Sequence, residues 1–246
     1  MQTKQSNVLI FFAWFLFLLT VIALIFSFFA FRYASQTVSD SDQSTSIPPF
    51  TVVLDAGHGG EDGGASSASG IIEKNLNLSI AVKIKEILEA NGVTVVMTRT
   101  EDRLLYDRNT DFQGRKKALD LLARRKIAEE TKNAIFVSIH MNAYPVEKYH
   151  GLQVWYSPNN RHSEELASSI REIAQHTLQP ENDRAIKSAT SSIYLLHHLQ
   201  IPSVLIECGF LSNPSEAERL NDPSYQQQLA FWIALSILHA QNLEIG

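Results

Sequence analysis

The first apolar stretch of the chain is long enough to cross a membrane. Residues 8–31 are apolar apart from Thr20 and Ser27. A helix of these 24 residues spans roughly 36 Å, more than a hydrocarbon core of about 30 Å. The alternative is a cleavable signal peptide, whose apolar region is usually only about 7–15 residues and ends in small residues. The run here is longer and ends in large aromatic residues, which favours an uncleaved transmembrane anchor over residues 1–32.

A polar segment separates this predicted anchor from the rest of the chain. Residues 33–49 are rich in serine and end in two prolines, a composition typical of flexible linkers. No Lys or Arg occurs between Arg32 and Lys74, which favours export of the part that follows the anchor. We therefore expect one globular domain, residues 50–246, tethered to the membrane and facing away from the cytoplasm.

Beyond residue 50, short apolar runs alternate with helical patterns. The apolar runs predict strands over residues 51–54, 93–97, 134–139, 151–156 and 203–206. Apolar residues spaced three or four apart predict helices over residues 76–88, 119–131, 164–177 and 225–241. This alternation predicts an α/β fold, a single three-layer domain with a largely parallel central sheet covered by helices. The charged segment 101–117 is predicted to be a long surface loop.

Composition excludes several classes of protein. The 21 Lys and Arg residues are outnumbered by 26 Asp and Glu residues, so the basic excess of a nucleic-acid-binding protein is missing and no nucleic-acid partner is expected. A single cysteine leaves no internal disulfide and no zinc site made of thiolates alone. An apolar content of 45% excludes a wholly disordered chain.

Polar residues follow three of the predicted strands, at the sheet edge where such folds bind ligands. They are His58, His140 and Glu207, while Glu73 opens the first helix on the return from the loop that carries His58. Two histidines and a carboxylate are a common zinc-ligand set, and a further carboxylate can accept a proton from water. A histidine at a strand end, taken singly, is more often a structural hydrogen-bonding residue than a metal ligand. Two histidines at the same edge of the sheet, together with two carboxylates, favour a metal centre.

The loop around His58 is unusually rich in glycine. Six of the eleven glycines of the chain lie between residues 57 and 70, and glycine lets the backbone approach a ligand closely. The alternatives are a plain surface loop or a phosphate-binding loop. Neither the P-loop pattern nor the dinucleotide-binding glycine pattern occurs there. The presence of His58 in the loop favours a metal.

Other reactive side chains are interpreted as structural. His197 and His198 are adjacent in a short helical stretch and therefore do not share a helix face. Cys208 is interpreted as a small apolar core residue, with a Cys–His nucleophile as the sharper alternative. A basic cluster in the second predicted helix is expected to form a solvated face; it consists of Arg124, Arg125 and Lys126.

Four segments resemble, in order, the motifs of the zinc-dependent N-acetylmuramoyl-L-alanine amidases of the type 3 family. They are VLDAGHGG at residues 53–60, EKNLNL at 73–78, SIHMNA at 138–143 and IECGFLSN at 206–213. The resemblance covers roughly residues 51–240. The segment 98–130 and the N-terminal anchor further resemble the germination-specific, spore-cortex amidases of spore-forming bacteria.

This resemblance implies a site and a reaction. His58, Glu73 and His140 match the ligands of one Zn²⁺ per chain, and Glu207 matches the catalytic glutamate. The implied substrate is peptidoglycan. The implied bond is the amide that joins N-acetylmuramic acid to the L-alanine of the stem peptide, attacked by a zinc-activated water with Glu207 as general base.

The resemblance also implies a biological setting. In the spore-cortex subfamily, removal of the peptide prepares muramic acid for δ-lactam formation by another enzyme. The catalytic domain would then lie on the cell-wall side or in the spore intermembrane space. Some cell-division relatives carry an extra helix that plugs the zinc site, and the short connection from Tyr156 to the helix at Glu164 leaves little room for one. An activator protein is therefore the natural hypothesis for regulation.

Two other functions remain open at the level of sequence. A zinc peptidase or deacylase could use the same residues on another cell-wall amide, and the released product would distinguish it. A non-catalytic wall-binding scaffold is the second alternative. A scaffold has no need for Glu207 together with three potential metal ligands, which argues against it.

Overall fold

The computed structural model describes part of the chain. The described residues are Trp14, 19–27, 50–106, 109 and 114–240. The chain divides into two units, Met1–Ile47 and Pro48–Gly246. In the first unit, Trp14 and residues 19–27 are helical. Across the described ranges, no helix combines the length and the apolar character that a membrane crossing requires. Most of the predicted anchor and all of the predicted linker, residues 33–49, lie outside the described residues, so both stay predictions.

The second unit is an α/β domain. Its strands are β1 (Thr51–Ala56), β2 (Thr94–Met97), β3 (Ala134–Asn142), β4 (Gln153–Tyr156), β5 (Lys187–Ser188) and β6 (Ser203–Phe210). Its helices are α1 (Glu73–Ala90), α2 (Lys116–Glu130), α3 (Arg161–Thr177), α4 (Tyr194–His198), α5 (Pro214–Asn221) and α6 (Pro223–His239). The five predicted strands and four predicted helices are all present, with bounds shifted by a few residues.

The six strands form one mixed sheet in the order β2-β1-β3-β6-β4-β5. The pairs β1–β2, β1–β3 and β3–β6 are parallel, as predicted. Strand β4 is antiparallel to β6 and parallel to β5. The reversal has a simple cause, because no helix separates β3 from β4. The chain therefore enters β4 from the sheet edge at which it left β3, whereas a parallel strand needs a longer crossover.

Helices cover both faces of the sheet, which confirms the three-layer prediction. Helices α1, α3 and α6 pack on the face that carries Val52, Leu54, Val137 and Ile206. Helices α2 and α4 pack on the opposite face, over Phe136. The period-two alternation of each strand sends its side chains to the two faces in turn, and both sets are apolar enough to be buried.

Two short elements were not predicted, β5 and α5. Strand β5 has only two residues and gives no periodic signal. Helix α5 did have a signal that could have identified it. Asn213 accepts a hydrogen bond from the backbone of Glu216, and Pro214 occupies the first helical position, a combination typical of a helix N-terminus.

The predicted solvated face of α2 is wrong for Arg124. Its side chain is buried, with Nη1 2.6 Å from Asp55 Oδ1 and Nε 2.7 Å from Asp120 Oδ2. Helix α2 packs on the sheet face from which the Asp55 side chain projects. Arg124, on the inner side of α2, therefore neutralises this buried carboxylate. Arg125 and Lys126 remain on the outer side, where they pair with acidic residues four positions later.

Candidate functional site

The four predicted site residues converge at one edge of the sheet. His58 follows β1, Glu73 is the first residue of α1, His140 lies on β3 and Glu207 lies on β6. In the parallel pairing of β3 with β6, His140 is directly opposite Glu207. Both residues were expected just after their strands, but the strands continue two or three residues further. The register shifts immediately after this pair, as is common for irregular pairing beside active sites.

Two imidazoles and one carboxylate face a common point. One ligand atom from each of His58, Glu73 and His140 lies within 4.8 Å of the others. His58 Nε2 is 3.3 Å from Glu73 Oε1, and His140 Nδ1 is 3.0 Å from the same oxygen. The two imidazole rings are nearly perpendicular, with centroids 4.9 Å apart. This is the one group of three or more such ligands found among the described residues.

The Glu73 carboxylate is held by several donors besides the histidines. Oε1 accepts from the backbone nitrogen of Met141 at 3.0 Å and from Asn77 Nδ2 at 3.3 Å. Oε2 accepts from the backbone nitrogen of Ala65 at 2.7 Å. Burial alone would raise the pKa of Glu73, but hydrogen bonds from His140 and His58 and their charges hold this pKa far below its usual range. Glu73 is therefore ionised and fixed in orientation.

His58 adopts an uncommon backbone conformation, with a φ of 61°. The other ring nitrogen, Nδ1, lies 3.0 Å from Asp62 Oδ2, a close polar contact rather than an aligned hydrogen bond. Burial lowers the pKa of His58, but the hydrogen bond and charge of Glu73, together with Asp62, outweigh that effect and raise it. A carboxylate behind a histidine orients the ring and selects its tautomer.

Two glycines make room for these side chains. A Cβ at Gly57 would overlap the imidazole of His140. A Cβ at Gly64 would overlap both the Glu73 carboxylate and the His58 ring, and Gly64 has a φ of +67° that disfavours other residues. The glycine-rich sequence is thus needed for close packing around the ligand cluster.

Glu207 differs from Glu73 in having no hydrogen-bond donor for its buried oxygen. Its Oε2 is buried without a partner among the described residues. Burial raises the pKa of Glu207 to about 7; the charge of Glu73 adds to this, while His140 and His58 oppose it. A buried carboxyl group lacking a donor is expected to interact with something that the chain does not supply. A pKa near neutrality suits a group that both accepts and returns a proton.

Two buried arginines fix the loop that carries His58, and neither was assigned a role from the sequence. Arg124 Nη2 donates to the His58 carbonyl at 2.7 Å, and its Nη1 donates to the Ala56 carbonyl at 2.8 Å. Arg99 Nε donates to the same Ala56 carbonyl at 2.8 Å, and Nη2 donates to the Gly57 carbonyl at 3.0 Å. The sequence signal for Arg99 was its position two residues after β2.

The remaining candidate residues, His197, His198 and Cys208, have contacts typical of structural residues. His198 Nδ1 is 2.8 Å from the Tyr194 carbonyl, and its ring packs against Tyr194 and His197. Cys208 is completely buried in the core on the opposite face of the sheet from Glu207. Burial raises the pKa of the Cys208 thiol, which disfavours a thiolate nucleophile. These contacts and the burial of Cys208 fit the structural interpretation of these residues.

Comparison with known proteins identifies the family. Residues 52–239 match the family model described as N-acetylmuramoyl-L-alanine amidase. A germination-specific N-acetylmuramoyl-L-alanine amidase of Bacillus subtilis (strain 168) is 36% identical over 227 residues, which are 92% of this chain and 93% of the relative.

Solved structures agree. The CwlD amidase from Clostridioides difficile, solved in complex with the GerS lipoprotein, is 39% identical with a TM-score of 0.73, over 78% of this chain and 98% of that chain. The N-acetylmuramoyl-L-alanine amidase AmiC2 of Nostoc punctiforme is 32% identical with a TM-score of 0.66, over 79% and 98%. With the four sequence motifs folded into one site, these matches show that the chain belongs to the N-acetylmuramoyl-L-alanine amidase family of peptidoglycan hydrolases.

Proposed function

We propose that this enzyme is a zinc-dependent hydrolase of the amide between N-acetylmuramic acid and the L-alanine of the stem peptide. The single observation that carries the proposal is the cluster of His58, Glu73 and His140 with Glu207 directly beside it on β6. Three of these residues have the composition of a catalytic zinc site, and the fourth is a carboxylate whose Oε2 has no donor among the described residues.

The residues present fit zinc. Two imidazole nitrogens and one carboxylate oxygen are a ligand set that leaves a fourth position for water or substrate. Both Glu73 and His58 have further polar contacts that fix their orientation, as ligands of catalytic zinc usually do. We assign His58, Glu73 and His140 as the ligands of one Zn²⁺ per chain.

When bound, zinc supplies Lewis acidity toward water and the scissile carbonyl. Glu207 accepts the proton that the attacking water loses as its oxygen forms a bond to the carbonyl carbon. As the carbon–nitrogen bond breaks, Glu207 returns that proton to the leaving nitrogen. The products are the lactyl carboxylic acid of muramic acid and a peptide with a free L-alanine amino terminus.

We further propose a role in maturation of the spore cortex, where removal of the stem peptide leads toward muramic δ-lactam. The supporting observation is the likeness to a germination-specific amidase over nearly the whole length of both chains. The apolar run at residues 8–31 supports a membrane anchor with the catalytic domain outside the cytoplasm. The relative that was solved with a lipoprotein supports an activator of that kind for this enzyme.

Substitution of Glu207 by Gln tests the mechanism. The full-length variant is expected to bind about one zinc per chain, because all three ligands remain. Its release of peptide with amino-terminal L-alanine from purified peptidoglycan should fall on the order of 10³-fold, because the proton acceptor is lost. Zinc content by metal analysis and the amino-terminal residue of the product are measured on the same sample.

Glu218→Gln is the matched control, since Glu218 is exposed on α5 and should leave both values unchanged. Full activity of the Glu207 variant would remove Glu207 from the mechanism. A wild-type product with a different amino-terminal residue would instead support a zinc peptidase or deacylase.

A further inference from the structure

A groove of about 380 Å³ lies beside the active site and takes no part in the mechanism above. None of its described lining residues is acidic. Its walls include Tyr149, Gln153, Trp155, Arg184, Lys187 and Phe210, and we refer to it as the aromatic groove.

The aromatic groove is continuous with the catalytic edge of the sheet. Gln153 on β4 is directly opposite Glu207 on β6, and Trp155 is opposite Leu205. Residues directly opposite each other on neighbouring strands project from the same face. Phe210, at the end of β6, also lines the groove. A substrate that places its scissile bond beside Glu207 can therefore extend over β4 into the groove.

Aromatic rings hold two cations in this groove. The guanidinium carbon of Arg184 lies 4.7 Å from the ring centroid of Phe210 and 5.4 Å from that of Tyr149. Lys187 Nζ lies 5.1 Å from the ring centroid of Trp155. Arg184 Nε also donates to the carbonyl of His150 at 3.2 Å. These contacts limit the rotamers of both side chains, so less freedom is lost when they bind a ligand.

These two cations have no carboxylate partner within the part of the chain that the structure describes. Other basic residues close to the site are ion-paired: Lys74 with Asp102, Lys116 with Glu61 and Arg124 with Asp55. The net charge of the chain is −5. Two cations in one groove without carboxylate partners among the described residues are therefore a local exception to the negative charge of the chain. Such a pair attracts an anionic group of the ligand.

We propose that the aromatic groove binds a carboxylate of the stem peptide, with Arg184 and Lys187 as its charged contacts. The proposal rests on the proposed function, since it places this anion on the same substrate. The peptide is favoured over the glycan because the carboxyl group of muramic acid is consumed in the scissile amide. The remaining carboxylates of the substrate belong to the peptide. The groove therefore selects stem peptides by charge.

Binding of the reaction product tests the groove without requiring turnover. The full-length protein is titrated calorimetrically with a stem peptide that begins with L-alanine, once with free carboxylates and once with all carboxylates amidated. The free acid is expected to bind about tenfold more tightly, because the half-buried Arg184 and the exposed Lys187 each contribute modestly. The double variant R184Q/K187Q should lose this preference.

Two controls separate charge from folding. The variant R125Q/K126Q makes the same change of charge on the outer side of α2 and should keep the preference for the free acid. The variant R184K/K187R keeps both charges in the groove and should also keep it. Equal affinity of the wild type for both peptides, no binding of either, or an undiminished preference in R184Q/K187Q would overturn the proposal.

Turnover of the corresponding N-acetylmuramoyl peptides distinguishes the two proposals. For R184Q/K187Q we expect about a tenfold rise of KM for the free-acid substrate, with kcat nearly unchanged and no effect on the amidated substrate. A charge preference in binding, with no turnover by the zinc-loaded wild type either alone or with the candidate lipoprotein activator, would support the groove and overturn the proposed function. Turnover without a charge preference in binding would overturn the groove and leave the proposed function standing.

Discussion

The loop that presents His58 is held by charges buried beneath it. Arg124 joins Asp55 to the carbonyls of Ala56 and His58, and Ser138 Oγ donates to the other oxygen of Asp55. His58 can therefore keep a positive φ, which costs free energy, because the surrounding hydrogen bonds define its position. The candidate site residues were predictable from the sequence, since each follows an apolar run that predicts a strand or opens a predicted helix. The burial of Arg124 was not, because it depends on where α2 packs.

Asp55→Asn is expected to lower the free energy of unfolding by about 3 kcal/mol at neutral pH, because a buried arginine loses one of its two carboxylate partners. Urea denaturation of the full-length protein measures this difference. Asp183→Asn is the matched control, since Asp183 is exposed and should change the stability by less than about 0.5 kcal/mol.

The loss of stability caused by Asp55→Asn should depend on pH. Burial raises the pKa of Asp55, but the charge of Arg124 and hydrogen bonds from Ser138 and Thr98 outweigh it and lower this pKa below its ordinary value of 3.8. A group whose pKa is lower in the folded state than in the unfolded state stabilises the protein at pH values above its unfolded-state pKa. This stabilisation is lost as the pH falls from the unfolded-state pKa through the folded-state pKa. The difference between wild type and Asp55→Asn should shrink below about pH 3.8. A difference that grows there would contradict this assignment.

Among the structural elements, the loop that follows Arg99 is hydrogen-bonded to the glycine-rich loop. Asp102 Oδ1 accepts from the backbone nitrogen of Gly60 at 2.7 Å, and its Oδ2 is 2.7 Å from Lys74 Nζ. The sequence predicted an irregular surface excursion, and its described residues 101–106 are irregular. Its role was not predictable, because the contact joins positions 42 residues apart. The excursion fixes the loop that carries His58 to the start of α1.

Asp102→Ala is expected to reduce zinc affinity about tenfold, as loss of an outer contact to a ligand loop typically does. Hydrogen exchange at the Gly60 amide should become faster, because its acceptor is removed. Competition with a zinc chelator measures the affinity. Glu101→Ala is the control, since the side chain of Glu101 pairs with the exposed Arg103; an equal loss in both variants would show that the contact to Gly60 is irrelevant.

At the scale of the whole molecule, the proposed zinc site depends on the completed fold. Its three ligands come from the loop after β1, from the start of α1 and from β3. These positions are far apart in the unfolded chain, so the metal binds the native state much more tightly than the unfolded state. Binding therefore adds to stability by mass action.

Removal of metal by a chelator is expected to lower the Tm of the full-length protein by roughly 5–10 °C, which corresponds to zinc present at about 100 times its Kd. Differential scanning calorimetry with and without chelator measures the shift. His140→Ala should abolish the shift because a ligand is missing, while His176→Ala, on the exposed side of α3, should retain it. A shift that survives in His140→Ala would refute the ligand assignment.

Local sequence was enough to predict the family, the alternation of strands and helices, and the sheet edge that carries His58, Glu73, His140 and Glu207. Periodicity and motifs are properties of neighbouring residues, so they can be read without a fold. Three further features became visible only in the folded chain: the direction of β4, the burial of Arg124, and the lack of acidic partners for Arg184 and Lys187 among the described residues. Each of these depends on contacts between distant positions, such as Asp55 and Arg124, 69 residues apart. Burial and ion pairing are determined by what packs against a side chain, and local sequence does not specify that.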